Sequence, residues 1–379
     1  MLSYWEKDAL CAQDVIIIGG GLLGLSTALS VKEKSPRARI CVLERGVFPA
    51  GASTRNAGFA CFAKACEMLS DIKIQGESEA AKLASQRVQG LKLLRSRISD
   101  SAMEYEELGG HELIMDHENE VSDADLKMLN ELLHPYFEQN IFSVQNKKIA
   151  EFGFKGVKQL IYNPLEGQLH SGKLISALWR LINALGIRVI TGAEVKRIEE
   201  NANMVEVFVH HAQMNEEIRF TAGQVGICTN ALSANLMDPS IKITPARGQV
   251  LVTKEMRGLP LKGCFHFDEG YYYFRNHENR IILGGGRNLD FETEQTTEMD
   301  YNPKIQAELD RVLREIVLPG TKVEIDQRWS GIMGFSENKM PIVQKIGGRR
   351  AVGFTCNGMG VSLATLTGEK LADLLTAKA

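Results

Sequence analysis

Three glycines, Gly19, Gly21 and Gly24, stand in the spacing G-x-G-x-x-G directly after the branched apolar run Val15-Ile16-Ile17-Ile18. The chemistry served by that spacing is anion binding. A buried strand delivers the chain to a tight turn at Gly19, Gly21 lets backbone approach a pyrophosphate, and Gly24 lets the next helix sit close on the strand. The free N–H groups and dipole of that helix, which opens with Leu22 and Leu23, attract the phosphates. A second apolar run, Ile40-Cys41-Val42-Leu43, ends in Glu44 and Arg45. Glu44 lies about 20 residues past Gly24, where an acid accepts from an adenosine ribose 2′-hydroxyl and repels a 2′-phosphate. The pattern therefore predicts an adenosine-dinucleotide site and argues against NADP. The plainer alternatives are a glycine-rich turn without a ligand and a solvated strand-end acid.

Glu44 is followed by a loop, 46–62, in which Ser53, Thr54, Arg55, Asn56, Ala57 and Gly58 bring small hydroxyls, backbone donors and one cation. Structureless loops of this length are uncommon unless they carry function. The expectation is that Ser53, Thr54 and neighbouring N–H groups face phosphate or a ring edge. The alternative is a surface loop with Arg55 in solvent.

Composition sets the limits. With 379 residues and 44% hydrophobic content, the chain has room for two domains or one elaborated one. A formal net charge of -3 leaves no basic footprint, so nucleic acid is not an expected partner. The seven cysteines are dispersed, without a C-x-x-C pair, which fits reduced thiols and a cytoplasmic setting. Met1 to Asp14 lacks the apolar core of a signal peptide, and no apolar run has the length to span a bilayer.

Several elements must position these residues. Helical periodicity runs from Leu69 to about Leu108, followed by a strand at His111–Met115 and an acidic helix from Asp123 to Gln139. A strand at Gly156–Pro164 precedes an amphipathic helix that Ser171 is expected to cap, ending at Gly186. The strand 187–190, a meander over 193–198, 204–210 and 218–221, and a buried strand 225–231 follow. The last of these carries Thr229 and Asn230 near its end, where a ligand could approach. From Ile243 the alternation is that of an antiparallel sheet, with the cluster Tyr271-Tyr272-Tyr273-Phe274, then a helix from Lys304 to Ile316 and a strand from Val323 to Trp329. Short apolar runs and Asn357-Gly358-Met359-Gly360-Val361 lead into a final helix.

Taken in order, these segments resemble the FAD-dependent oxidoreductases of the D-amino acid oxidase, glycine oxidase and sarcosine oxidase family. The resemblance rests on the glycine motif with Glu44, Ser53 to Gly58, Arg247-Gly248-Gln249, Tyr271-Tyr272, Gly284-Gly285, Arg328-Trp329-Ser330-Gly331 and Asn357 to Gly360. It implies an α/β fold: a Rossmann-like FAD domain from 1–72, 155–240 and 330–379, interrupted by a substrate domain from 73–154 and 241–329 with a mixed or antiparallel sheet. It also implies backbone contacts from the Val195 strand to the adenine, a cofactor contact from Gly331, and the Gly358-Met359-Gly360 turn near the flavin ring.

The implied reaction is hydride removal from an amine-bearing carbon, giving an imine that hydrolyses. The cofactor carries the hard step, so no acid–base triad is required. A carboxylate on the substrate would need a guanidinium fork, for which Arg275, Arg287 and Arg328 are candidates. Arg275 and Arg328 are the ones expected at the site, with Tyr272 sharing the work and His266 touching substrate or sitting satisfied in the sheet. Covalent relatives use a cysteine in the segment matching Gly331 to Phe335. None stands here, so FAD is expected to be non-covalent. Relatives also carry an oxygen-activating lysine where this chain has Ile282, which leaves oxygen or another acceptor open. A flavin-dependent 2-hydroxy acid enzyme and a non-catalytic flavin-binding module are the competing readings.

Overall fold

The computed structural model describes residues 2–211, 216–232, 236–238, 240–355 and 357–377. Cys356 lies outside the described residues, and the other six cysteines are free. The strand Ala12–Ile18 enters the helix Leu22–Lys34 across the glycine turn. It pairs in parallel with Ile40–Leu43 on one side and with the C-terminal half of Glu216–Ile227 on the other. Arg188–Ile190 and Arg350–Phe354 extend this sheet in parallel, and Ile342–Lys345 closes it antiparallel. Central parallel strands are covered on both faces, which is why Ile16 and Ile17 are both wholly buried and the run is apolar without alternation. The helices Leu22–Lys34, Ser171–Ala184 and Gly360–Thr376 contribute to one core cluster. The strands Glu194–Glu200 and Val205–His211, with Phe220 and Ala222, contribute to another.

The second sheet runs in the order Ile325–Phe335, Thr244–Thr253, Arg280–Gly285, Tyr272–His277, Cys264–Phe267, Gly110–Met115, Val157–Asn163, Ser143–Val144. Its pairs are antiparallel except Cys264–Phe267 with Gly110–Met115. Leu251, Phe265, Phe274 and Leu283 from this sheet pack with Ile305, Leu309 and Val312 of the helix Pro303–Val312. The mixed α/β architecture is the one expected from the sequence.

Local details differ, each for a physical reason. The helical stretch breaks at Gly76, whose φ of 84° ends Ala65–Gln75 and starts Glu77–Arg97. The helix cap is His170, not Ser171. Its Nδ1 accepts from the Lys173 N–H at 3.3 Å, while the Ser171 hydroxyl donates to Asn56 Oδ1 at 2.7 Å. The meander strand at 218–221 and the buried strand from 225 are one element, Glu216–Ile227, bridging the meander to the parallel sheet. Val157–Asn163, expected with the first sheet as part of segment 155–240, pairs instead with Gly110–Met115 in the second sheet, and Ile325–Phe335 runs through the expected boundary at 330.

Candidate functional site

Residues of both sheets line a cavity of about 450 Å³. At its first-sheet end stands the glycine turn. A Cβ on Gly19, whose φ is +106°, would lie 2.6 Å from the Cys228 carbonyl oxygen, and one on Gly24 would lie 1.8 Å from that of Gly19. Gly24 is thus a packing glycine behind the wall. Gly19, Gly21, Leu22 and Leu23 line the wall, as do Gly358, Met359, Gly360 and Val361, so two helix N-termini meet the cavity. Neither helix has a side-chain hydrogen bond from its N-cap residue, Gly21 or Met359. Ser53 Oγ, from the loop, accepts from the Leu22 N–H at 2.9 Å.

Glu44 is buried, with Oε2 accepting from the Gly20 N–H and Oε1 from the Gly46 N–H, each at 2.8 Å. A carboxylate has about four lone-pair sites, so capacity remains for a hydroxyl donor. Arg45, Val195, Thr229, Asn230 and Gly331 also line the cavity.

The loop folds back as a short helix, Ala52–Arg55. Ser53, Arg55, Asn56 and Ala57 reach the wall, whereas Thr54 and Gly58 do not. The Thr54 hydroxyl instead donates to the Pro49 carbonyl at 2.5 Å. Arg55 directs Nε to the Ala50 carbonyl and Nη1 to that of Ser330, both at 2.9 Å, so it ties the loop to the second sheet. Asn56 Oδ1 accepts from the Gly58 N–H at 2.8 Å. Gly58 has φ +78°, and a Cβ there would stand 2.2 Å from the Leu169 carbonyl.

The substrate-side expectations need correction. Arg275 is buried and donates to the carbonyls of Ala57, Leu169 and Asn276, away from the cavity. Arg328 pairs with Asp310 at 2.6 Å and with Gln306 at 2.5 Å on the helix behind the sheet. Tyr272 faces the core, stacked on Phe267 at 4.7 Å. The cause is strand parity: adjacent residues point to opposite faces, so Tyr273 reaches the cavity where Tyr272 cannot. Tyr273 meets Phe59 edge-on at 5.5 Å, and burial pushes its hydroxyl up to about 12. His266 does line the cavity, its ring 5.0 Å from Phe59.

At the second-sheet end of the cavity, the guanidinium left without a polar partner among the described residues is that of Arg287. Arg287 follows the turn Gly285-Gly286, both at positive φ, and its guanidinium lies 4.2 Å over the Phe335 ring. Among the described residues it has no hydrogen bond or ion pair, and burial holds its pKa below the usual arginine range.

Lys64, Glu67 and Lys339 line the same cavity, and sequence reasoning missed them. Lys64 pairs with Glu67 at 2.9 Å, Arg87 with Glu67 at 3.5 Å and Lys339 with Asp71 at 2.7 Å. Burial pushes the Glu67 carboxyl up, but Lys64, Arg87 and Lys339 outweigh it and hold it well below the carboxylate range. Glu67 and Lys339 lie 272 residues apart, so no spacing signal joined them.

Behind this wall, burial pushes Glu112 up to about 7 despite its bonds from the Ala65 and Cys66 N–H groups. A carboxyl raised by folding stabilises fully below its unfolded pKa, and that stability is lost as pH rises toward the folded value. Wild-type Tm should therefore carry a decline between about pH 4.5 and 7 from this residue. Calorimetry should show that decline shrinking in Glu112→Gln; an unchanged pH profile would refute the assignment.

The comparisons with known proteins agree with this geometry. A family model described as FAD dependent oxidoreductase (DAO) matches residues 14–374. The chain is 24% identical to gamma-glutamylputrescine oxidoreductase of Escherichia coli (strain K12), covering 96% of this chain and 83% of that protein. Among solved structures it resembles glycine oxidase from Geobacillus kaustophilus, with a TM-score of 0.73 and 20% identity over 96% of this chain and 95% of that one. It also resembles L-proline dehydrogenase from P. horikoshii, with a TM-score of 0.75 and 16% identity over 96% and 93%. With its family match spanning both sheets, the chain belongs to the DAO family of FAD-dependent oxidoreductases.

Proposed function

We propose that this chain oxidises the C–N bond of an amino acid or related carboxylate-bearing amine, with FAD held non-covalently. The observation that carries the reading is Arg287, an arginine with no hydrogen bond or ion pair among the described residues, on the wall of a cavity whose far end is the glycine turn. The wall suits FAD: the Gly21 to Leu23 and Gly358 to Val361 turns offer N–H groups to pyrophosphate and ring oxygens, and Glu44 suits the ribose. FAD, when bound, supplies the hydride acceptor.

The chain's own residues then bind and orient. Arg287 offers two parallel N–H donors to the substrate carboxylate, and Tyr273 adds a neutral hydroxyl. Phe59, Tyr271 and Phe335 narrow the site and exclude water around the reacting carbon. Cys61 and Cys228 are the cysteines on the wall among the described residues, and burial pushes both thiols up, away from the thiolate needed for a covalent link.

Ile282 packs with Ala57 and Val250 and does not line the cavity, so the lysine-borne oxygen activation of relatives has no counterpart at that position. This favours passing electrons to a quinone-like acceptor over fast reaction with oxygen. Purified protein should be yellow and release free FAD on acid denaturation. An anaerobic panel of amino acids and amines should bleach it, with ammonia or an amine released. A colourless protein, or bleaching by 2-hydroxy acids alone, would overturn the reading. Dye-linked turnover is expected to exceed oxygen-linked turnover by at least about 10-fold, a gap of ~1.4 kcal/mol in barrier.

A further inference from the structure

Behind His266 the structure holds a second, much smaller void of about 10 Å³, close to the room one water needs. His266 and Lys64 line both this void and the main cavity. The void is otherwise walled by Glu166, Glu112, His111 and Asn163 among its polar residues. His266 is 7% exposed and its Nε2 has no partner, standing 3.9 Å from Glu166 Oε2. Asn163 Nδ2, in a residue 4% exposed, is likewise without a partner. A buried donor left unpaired is costly, and at 3.9 Å His266 Nε2 and Glu166 Oε2 are too far apart for a direct hydrogen bond, the case in which a water between them is expected. Partnerless nitrogens on His266, Asn163 and His111, a carboxyl oxygen and a one-water void together describe a hydrated site.

The site is joined to the chemistry by the sheet register. Parallel pairing sets His266 beside Glu112 on the neighbouring strand, and antiparallel pairing sets it beside Tyr273 on the other. Glu166 Oε1 is held by the N–H groups of Phe62 and Ala63, at 2.9 and 3.1 Å, which leaves Oε2 toward the histidine. We propose that His266, the void water and the carboxyls of Glu166 and Glu112 form a proton relay that takes the ammonium proton of the bound substrate. The relay rests on the amine-oxidation reading above.

The step moves a proton only. The substrate N–H bond breaks and an N–H bond forms on the cavity-side nitrogen of His266. Nε2 then passes its proton through the water to a carboxyl, and no electrons change hands. The freed amine lone pair is what hydride departure from the adjacent carbon requires. Burial holds His266 well below the usual histidine range, Lys64 and His111 reinforce this, and Glu67 opposes it. A resting neutral imidazole is the form that can accept. Burial raises Glu166 and carries Glu112 up to about 7, so Glu112 is the carboxyl that titrates near neutrality. Cys61, its thiol pushed up by burial, faces the same cluster, and the Cys264 Sγ–H donates to the Gly167 carbonyl at 3.1 Å.

The test is anaerobic stopped-flow reduction of the FAD-loaded enzyme from pH 6 to 10, for wild type, His266→Gln, Glu166→Gln and Glu112→Gln. Removing a general base costs about 10²-fold or more, and the loss is expected at pH 7. It should vanish near pH 10, where the amine is already neutral in solution. A loss by the same factor at every pH would mean these residues only support packing, and would overturn the relay. Wild-type FAD that no amine bleaches would instead fail the parent reading. The relay is then judged without turnover, from the ring-carbon NMR shift of labelled His266 on adding propylammonium chloride: protonation supports it and no change refutes it. Cys61, Glu166 and His266 offer ligand atoms within 4.8 Å of one another, so one tightly bound divalent metal per chain in elemental analysis would also overturn it.

Discussion

Arg287→Met should raise KM for a carboxylate-bearing substrate by about 10- to 100-fold, because each hydrogen bond to a charged group is worth about 1.5–3 kcal/mol. Steady-state kinetics check this, with Arg328→Met as the control. The two arginines lie in the same half of the molecule, but they differ in what their guanidinium groups already hold. Arg328 is satisfied by Asp310 and Gln306, so its loss weakens the attachment of a helix and leaves KM within about 2-fold. Arg287 has no protein donor–acceptor partner to satisfy among the described residues, only the faces of Tyr271, Phe291 and Phe335. Methionine keeps much of that stacking volume while removing the fork, so the loss reports on binding rather than on collapse. If substrate orientation is set before hydride transfer, kcat falls less than kcat/KM. Equal KM in wild type and Arg287→Met would mean that another group holds the carboxylate.

The second large effect is expected at the glycine turn, where two substitutions separate cofactor binding from folding. A Cβ on Gly21 would lie 2.7 Å from Ser53 Oγ and meet no other atom of the protein closer than 3.7 Å. Ser53 can rotate, so Gly21→Ala should fold; the added methyl stands on the cavity wall, at the proposed pyrophosphate site. FAD affinity is expected to drop by about 10- to 100-fold, through one or two weakened charge-assisted bonds. Gly24→Ala places a Cβ 1.8 Å from a backbone oxygen that cannot rotate away. Here the strand and helix must separate, and overpacking of about 1–3 kcal/mol or more falls on the fold itself. Thermal denaturation of the apo-proteins and flavin titration together decide the point. Loss of apo-protein stability in Gly21→Ala comparable to that in Gly24→Ala would refute the division of roles.

Much of this molecule was legible in the residue order. Continuous burial of Val15 to Ile18, the need for a positive φ at Gly19 and the carboxylate at the end of Ile40–Leu43 are local demands, each answered by residue type and spacing. The antiparallel alternation after Ile243 was readable in the same way, because period two survives whatever the strands pack against. The interruption and return of the first sheet could also be traced, since its strands are short apolar runs wherever they occur.

Tertiary structure decided which chemistry-bearing side chains meet. Tyr272 and Tyr273 are equivalent by composition, and only the face assigned by the sheet puts one in the core and the other on the cavity. Arg275, Arg287 and Arg328 are equally plausible forks until their partners are known. Among the described residues, two are satisfied by carbonyls or by Asp310, and one is not. Lys339 with Glu67, and His266 with Glu166, meet through strand pairing and loop placement across long separations, and no periodicity encodes such a meeting. The sequence by itself determined the strand, glycine turn and helix that open the first sheet, because backbone conformation and a glycine turn are short-range properties. Which arginine, tyrosine and buried acid line the cavity was decided only when the second sheet came to rest on the first.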